Sequence, residues 1–145
     1  MKRLVAVLLM TAWASGGLAQ DAQVKPVLPQ DFKWFTPPTN ATIHGAWVIG
    51  SEQAADPYLF RVRLDAGGRM APHTHPDTRN TTVLSGTLYV GFGDTFDETH
   101  IVAIPTGGVY VAPANVSHFV WAKDGDVVYQ EAGVGPTATV PNKKP

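Results

Sequence analysis

A chain of 145 residues with a formal charge of −1 has room for one domain and carries no basic footprint, so neither nucleic acid nor an anionic membrane surface is an expected partner. Hydrophobic residues make up 44% of it, enough for a core, while fourteen glycines and twelve prolines interrupt nearly every run suited to a helix. Cysteine is absent, which removes disulfides and thiol chemistry.

The first residues differ in character from the rest. Lys2-Arg3 is a short positive start, Leu4 to Ala14 is apolar apart from Thr11, and Gly17-Leu18-Ala19 offers small residues for cleavage. Residues 1–19 therefore read as a secretory signal peptide cut before Gln20, which predicts a periplasmic or secreted mature chain with no membrane segment. The apolar run is shorter than the roughly 20 residues a membrane span needs. Residues 20–42 form a polar lead-in in which Pro37-Pro38 rules out a helix and Phe32, Trp34 and Phe35 seek a surface to pack on.

From there the pattern is that of short strands. Ala46 to Ile49 is a brief apolar run, and Tyr58 to Leu64 alternates, with Phe60, Val62 and Leu64 on one face and Arg61 and Arg63 on the other. Thr81–Leu84 and Thr87–Phe92 flank Ser85-Gly86 and read as a tight hairpin. Ile101–Ile104, Val109–Ala112, Phe119–Ala122 and Val127–Gln130 follow, each bounded by Pro, Gly, Asn or Asp. Regular short strands with turn signals predict an all-β sandwich or barrel over residues 43–135. Residues 136–145 have little to bury and read as a loose tail.

The chemistry gathers at Gly67-Gly-Arg-Met-Ala-Pro-His73-Thr-His75-Pro. On an extended strand His73 and His75 project to the same side, and neutral imidazole is the commonest protein ligand for a transition metal. A second stretch, Gly107-Gly-Val-Tyr-Val-Ala-Pro113-Ala-Asn115-Val-Ser-His118, carries a third imidazole. Together the two stretches resemble the paired motifs of the cupin family: a Gly five residues clear of His-x-His with a later Gly, then Gly, Pro and His. Gly67, His73, His75, Gly86, Gly107, Pro113 and His118 all fall at the family spacing, and the resemblance covers Gly67 to Ala122.

The resemblance implies a jelly-roll barrel with one divalent metal (iron, zinc, nickel, copper or manganese) on His73, His75 and His118. The residue-level alternative is a barrel whose histidines only hydrogen-bond. Three departures stand out. Asn115 replaces a motif Gly, a mild change because Asn tolerates a left-handed turn, and Ala122 replaces a closing Asn. Arg79 stands where the family places a ligating Glu. A guanidinium cannot ligate a metal, so Arg79 is expected either to swing out towards Asp77 and solvent, the favoured pose, or to turn inward as a clamp for an anionic ligand. Glu131 shares a strand face with Tyr129 and is either a relocated carboxylate or, as burial frequencies favour, an ordinary surface glutamate.

If His118 points inward, Phe119 and Trp121 point out, either to a partner surface, as in a homodimer, or under the Phe32–Phe35 segment. His44 and His100 are expected to be surface or hydrogen-bonded histidines. Functionally, the resemblance makes a metal-dependent oxidoreductase of the dioxygenase type, acting on a small organic molecule, the first expectation. The alternative is a non-enzymatic protein that binds a metal or an anionic small molecule through Arg79.

Overall fold

The computed structural model describes residues 25–142. The signal-peptide reading of residues 1–19 and the end of the tail lie outside these residues. Apart from one three-residue 3-10 turn (Pro29–Asp31), the regular elements are all strands: β1 Ile43–Ile49, β2 Pro57–Leu64, β3 Arg69–Thr74, β4 Arg79–Ser85, β5 Thr87–Phe92, β6 Val102–Pro105, β7 Val109–Ala112, β8 His118–Trp121, β9 Val127–Val134 and β10 Val140–Pro141. They form two antiparallel five-stranded sheets, in the orders β1-β2-β9-β4-β7 and β10-β3-β8-β5-β6. The all-β expectation holds.

Strand alternation explains the core. On β2, Val62 and Leu64 turn inward while Arg63 stays exposed, and on β9 Val127, Tyr129 and Glu131 are buried in the same period of two. Val62, Leu64, Val127 and Tyr129 meet Val83 of β4 and, from the facing sheet, Leu88, Val90, Ile104 and Val120 in one apolar cluster. Burying a side chain of this size contributes about 1.5–3 kcal/mol, so the cluster is what closes the two sheets on each other.

Four expectations need correction. The Ser85-Gly86 turn does not make a hairpin: β4 pairs with β7 and β9, while β5 pairs with β6 and β8 in the other sheet. Gly86 (φ 77°) passes the chain between sheets so close to the next turn that a Cβ there would sit 2.4 Å from the Asp126 carbonyl oxygen. The tail is not loose as far as Asn142, because Val140 and Pro141 pair with Thr74 and His73, and Thr137 is buried. The lead-in does not cover Phe119 and Trp121. Instead Phe35 bridges to Gly45 and packs on Phe60, at the β1-β2 edge. Finally, Phe119 and Trp121 do face away from the core but are buried, under Phe96 of the β5–β6 loop and under Arg69, whose guanidinium lies 4.0 Å from the Trp121 ring centroid. The chain itself covers these two aromatics, so neither of the two covers weighed for them, a partner surface or the lead-in, is what buries them.

Candidate metal centre

β3 and β8 are neighbours, and their register sets His73 opposite His118. The pairing slips by one residue between Met70 and His73, a bulge in β3 at the Ala71-Pro72 step. Without that extra residue Met70 and His73 would lie on opposite faces; with it, Met70 packs against the core and His73 is buried beside the other histidines. His75 follows β3 directly. Its carbonyl accepts the N–H of Asn115 at 2.7 Å, which ties the two histidine stretches together. Asn115 is the one non-glycine among the described residues with a positive φ (61°), in the conformation expected where it replaces glycine.

The three imidazoles converge. One ring nitrogen from each of His73, His75 and His118 lies within 4.8 Å of the others, and all three residues are buried. Each Nδ1 faces a backbone carbonyl: Ala71 at 2.8 Å for His73, Ala138 at 2.7 Å for His75 and Val116 at 3.1 Å for His118. A carbonyl only accepts, so Nδ1 carries the proton in each ring and the Nε2 lone pair is left free. Burial pushes His73 down to about 4, and burial with the Arg79 charge pushes His75 down to about 3; His118 is lowered for the same reasons. All three are therefore neutral at pH 7, the state a metal ligand requires. His75 Nε2 is buried with no hydrogen-bond partner. A buried, unpartnered lone pair is costly unless something binds it, and the donor set fits a transition metal.

Arg79 does not swing out. Its side chain is buried at the start of β4 and donates to Glu131 Oε2 through Nη1 (2.6 Å) and to Thr137 Oγ1 (2.6 Å) and the Ala138 carbonyl (3.2 Å) through Nη2. The expected Asp77 partner is present, with Oδ1 3.6 Å from Nε, but Asp77 is itself held inside by Tyr58 and Thr137. Nor is Glu131 a surface glutamate: it is 5% exposed, because β9 parity puts it on the face of Val127 and Tyr129. Burial raises its pKa and the Arg79 charge opposes that rise. Both amino groups of Arg79 are engaged and its unbonded Nε faces the Asp77 carboxylate, so Arg79 is poorly placed to clamp an anion.

A cavity of about 380 Å³ is bounded by the lead-in, the inner faces of β1, β2 and β9, and the tail. None of the three histidines lines it, and its link to them is Arg79, which shares the Ala138 carbonyl with His75. Arg79, Tyr129 and Glu131 line it, so all three residues singled out beside the histidines in the sequence face the same space. Tyr129 is held by a contact from its hydroxyl to Met70 Sδ at 3.4 Å. Sequence reasoning missed Thr137 and Ala138, which link Arg79 to His75 through the shared Ala138 carbonyl. Nothing in the tail's composition signals that role. His44, bonded to Thr36 and Asp65, and His100, exposed beside Asp97, stay apart from the site as expected.

The Cupin family model matches residues 56–141, which is more than half of the chain. The chain belongs to the cupin family. Among curated relatives of this cupin, germin-like protein subfamily 1 member 1 of Arabidopsis thaliana is 34% identical over 89 residues, covering 59% of this chain and 37% of that protein. Germin-like protein 5-1 of Oryza sativa subsp. japonica is 42% identical over 62 residues, covering 42% of this chain and 28% of that protein. The chain thus spans well under half the length of either relative. Among solved structures, the polyketide cyclase RemF from Streptomyces resistomycificus superposes with a TM-score of 0.70 at 15% identity, covering 84% of this chain and 87% of that one. At that identity the likeness is one of fold alone. Cupin membership and the three-histidine cluster together support metal binding.

Proposed function

We propose that this protein is an exported, metal-dependent cupin that oxidises a small organic molecule, a dioxygenase-type oxidoreductase. The observation that carries the reading is the set of three buried, neutral imidazoles, with no carboxylate in the cluster among the described residues. Three protein ligands leave coordination positions open, as catalytic sites do and structural sites do not. A transition metal held by His73, His75 and His118 would supply Lewis acidity and redox capacity there.

The chain's own groups define the rest. The three backbone carbonyls fix which nitrogen of each ring faces the site, and the shared Ala138 carbonyl keeps His75 in step with the Arg79–Glu131 pair. Arg79 pairs with Glu131 at the cavity wall and opposes the rise in pKa that burial causes, so that the carboxylate can accept a proton from a bound molecule. Phe35, Trp47 and Phe60 form an apolar wall of the same cavity. The alternative in which Arg79 anchors an anion is weakened by the pairing that occupies it.

Protein loaded with ferrous iron should consume oxygen when given small organic molecules, and His73→Ala or His118→Ala should not. Equal oxygen uptake by all three proteins would remove the reading. Export is tested separately by the mass of the purified chain: a mature N-terminus at Gln20 in the periplasm or medium supports it, and an uncleaved chain in the cytosol contradicts it.

A further inference from the structure

The cavity has an apolar side and a polar end, and the two together select a ligand. Phe60 forms the centre of an aromatic wall, with Trp47 at 4.6 Å and Phe35 at 6.1 Å between ring centroids. All three rings line the cavity. A flat ring system fits such a wall, and about 380 Å³ is within the range of small-molecule sites.

The charged groups lining the cavity are Glu52, Arg79 and Glu131. Glu52 is exposed to solvent at the rim. At the buried end Arg79 and Glu131 neutralise each other at 2.6 Å. An anion finds a poor site there: both Arg79 amino groups already donate to Glu131, Thr137 and Ala138, and Nε, which has no hydrogen-bond partner, faces the Asp77 carboxylate at 3.6 Å. A cation would lose its hydration, and the second carboxylate near Arg79, Asp77, is taken by Tyr58 and Thr137 and does not line the cavity. What the pair does offer is acceptor capacity: a carboxylate has about four lone-pair sites, and Arg79 Nη1 occupies one of them, on Oε2.

We propose that the cavity binds a neutral hydroxylated aromatic molecule, its ring against Phe35, Trp47 and Phe60 and its hydroxyl donating to the carboxylate of Glu131. This names the ligand class for the small-molecule site inferred above, but it does not depend on a metal. Glu131 is then the specificity-determining group and Arg79 positions it.

The test is calorimetric titration of the full chain, stripped of metal with a chelator, with 2-naphthol, naphthalene, 2-naphthoate and 2-naphthylmethylamine. Metal-free protein keeps the outcome separate from that of the oxidoreductase reading. 2-Naphthol should bind, and naphthalene should bind about tenfold more weakly or worse, the effect of losing a hydrogen bond to a charged acceptor. The carboxylate and the amine should both bind more weakly than 2-naphthol. Glu131→Gln leaves Arg79 without its counter-charge and can fail to fold, so the second variant is Arg79→Met/Glu131→Leu, an apolar pair of similar volume. In that double variant 2-naphthol and naphthalene should bind equally, while Trp47→Ala should weaken both. Absence of 2-naphthol binding, tighter binding of the carboxylate or the amine, or a hydroxyl preference that survives the double variant would each overturn the proposal.

Discussion

Replacing Arg79 by methionine probes the link between the site and the stability of the barrel. Arg79 makes a 2.6 Å bond to Glu131 and two more to Thr137 and Ala138, all with its side chain 5% exposed. Removing it leaves a buried carboxylate without its counter-charge, which costs about 3–5 kcal/mol. For a domain of this size the melting temperature should drop by roughly 10–20 °C. The deficit should depend on pH in a definite direction. Burial already raises the pKa of Glu131 above its ordinary 4.5, and losing Arg79 raises it further. A folded state with the higher pKa binds the proton first, so the variant's deficit is largest above that pKa. It should shrink by up to about 1.4 kcal/mol per unit as pH falls towards 4.5. Chemical denaturation of wild type and variant at pH 8 and pH 5 measures both effects, and Arg79→Met/Glu131→Leu should recover most of the loss. A single-variant deficit below about 1 kcal/mol at pH 8, or one unchanged at pH 5, would refute the buried-pair reasoning.

Three further outcomes are expected. Because burial holds His73 near 4 and His75 near 3, metal uptake at pH 5.5 should release few protons from the imidazoles, whereas three exposed histidines with a pKa of about 6.5 would release close to three; titration in buffers of different ionisation enthalpy counts them. Asn115→Gly should leave stability nearly unchanged, while Asn115→Val should lower it by about 1–2 kcal/mol in thermal denaturation, since a β-branched residue tolerates φ 61° poorly. Ending the chain at Gly135 removes Thr137 and the Ala138 carbonyl that orients His75, so metal affinity should fall by about 10–100-fold while the other two histidines remain; an unchanged affinity would show that the tail does not orient the site.

What was legible in the sequence was whatever is encoded by local period and spacing. The alternation of Phe60, Val62 and Leu64 gave β2, and the bounded run Val109–Ala112 coincides with β7. The two histidine stretches read as one site through their resemblance to the paired cupin motifs, and the structure sets His118 opposite His73. Ser85-Gly86 looked like a hairpin because a turn signal between two strands is the same whether they pair or part into opposite sheets. Which it does is decided by long-range partners: β9 for β4 and β8 for β5.

Arg79 and Glu131 were both flagged, but their pairing joins positions far apart in the chain and depends on the parity of β9. The local closeness of Asp77 pointed Arg79 outward; burial of Asp77 itself, held by Tyr58 and Thr137, keeps it in. The tail has too little apolar surface to announce order. Its order comes instead from a short β10 pairing with β3 and from polar groups that close around Arg79 and His75.

The central claim is that His73, His75 and His118 form one metal site. Its most direct measurement is the metal content of purified wild-type protein beside His73→Ala, by elemental analysis after dialysis against iron, zinc, nickel, copper and manganese in turn. Wild type should retain one transition-metal ion per chain, and His73→Ala, still folded, should retain far less. Wild type that holds none of the five, or a variant that holds as much as wild type, would contradict the claim.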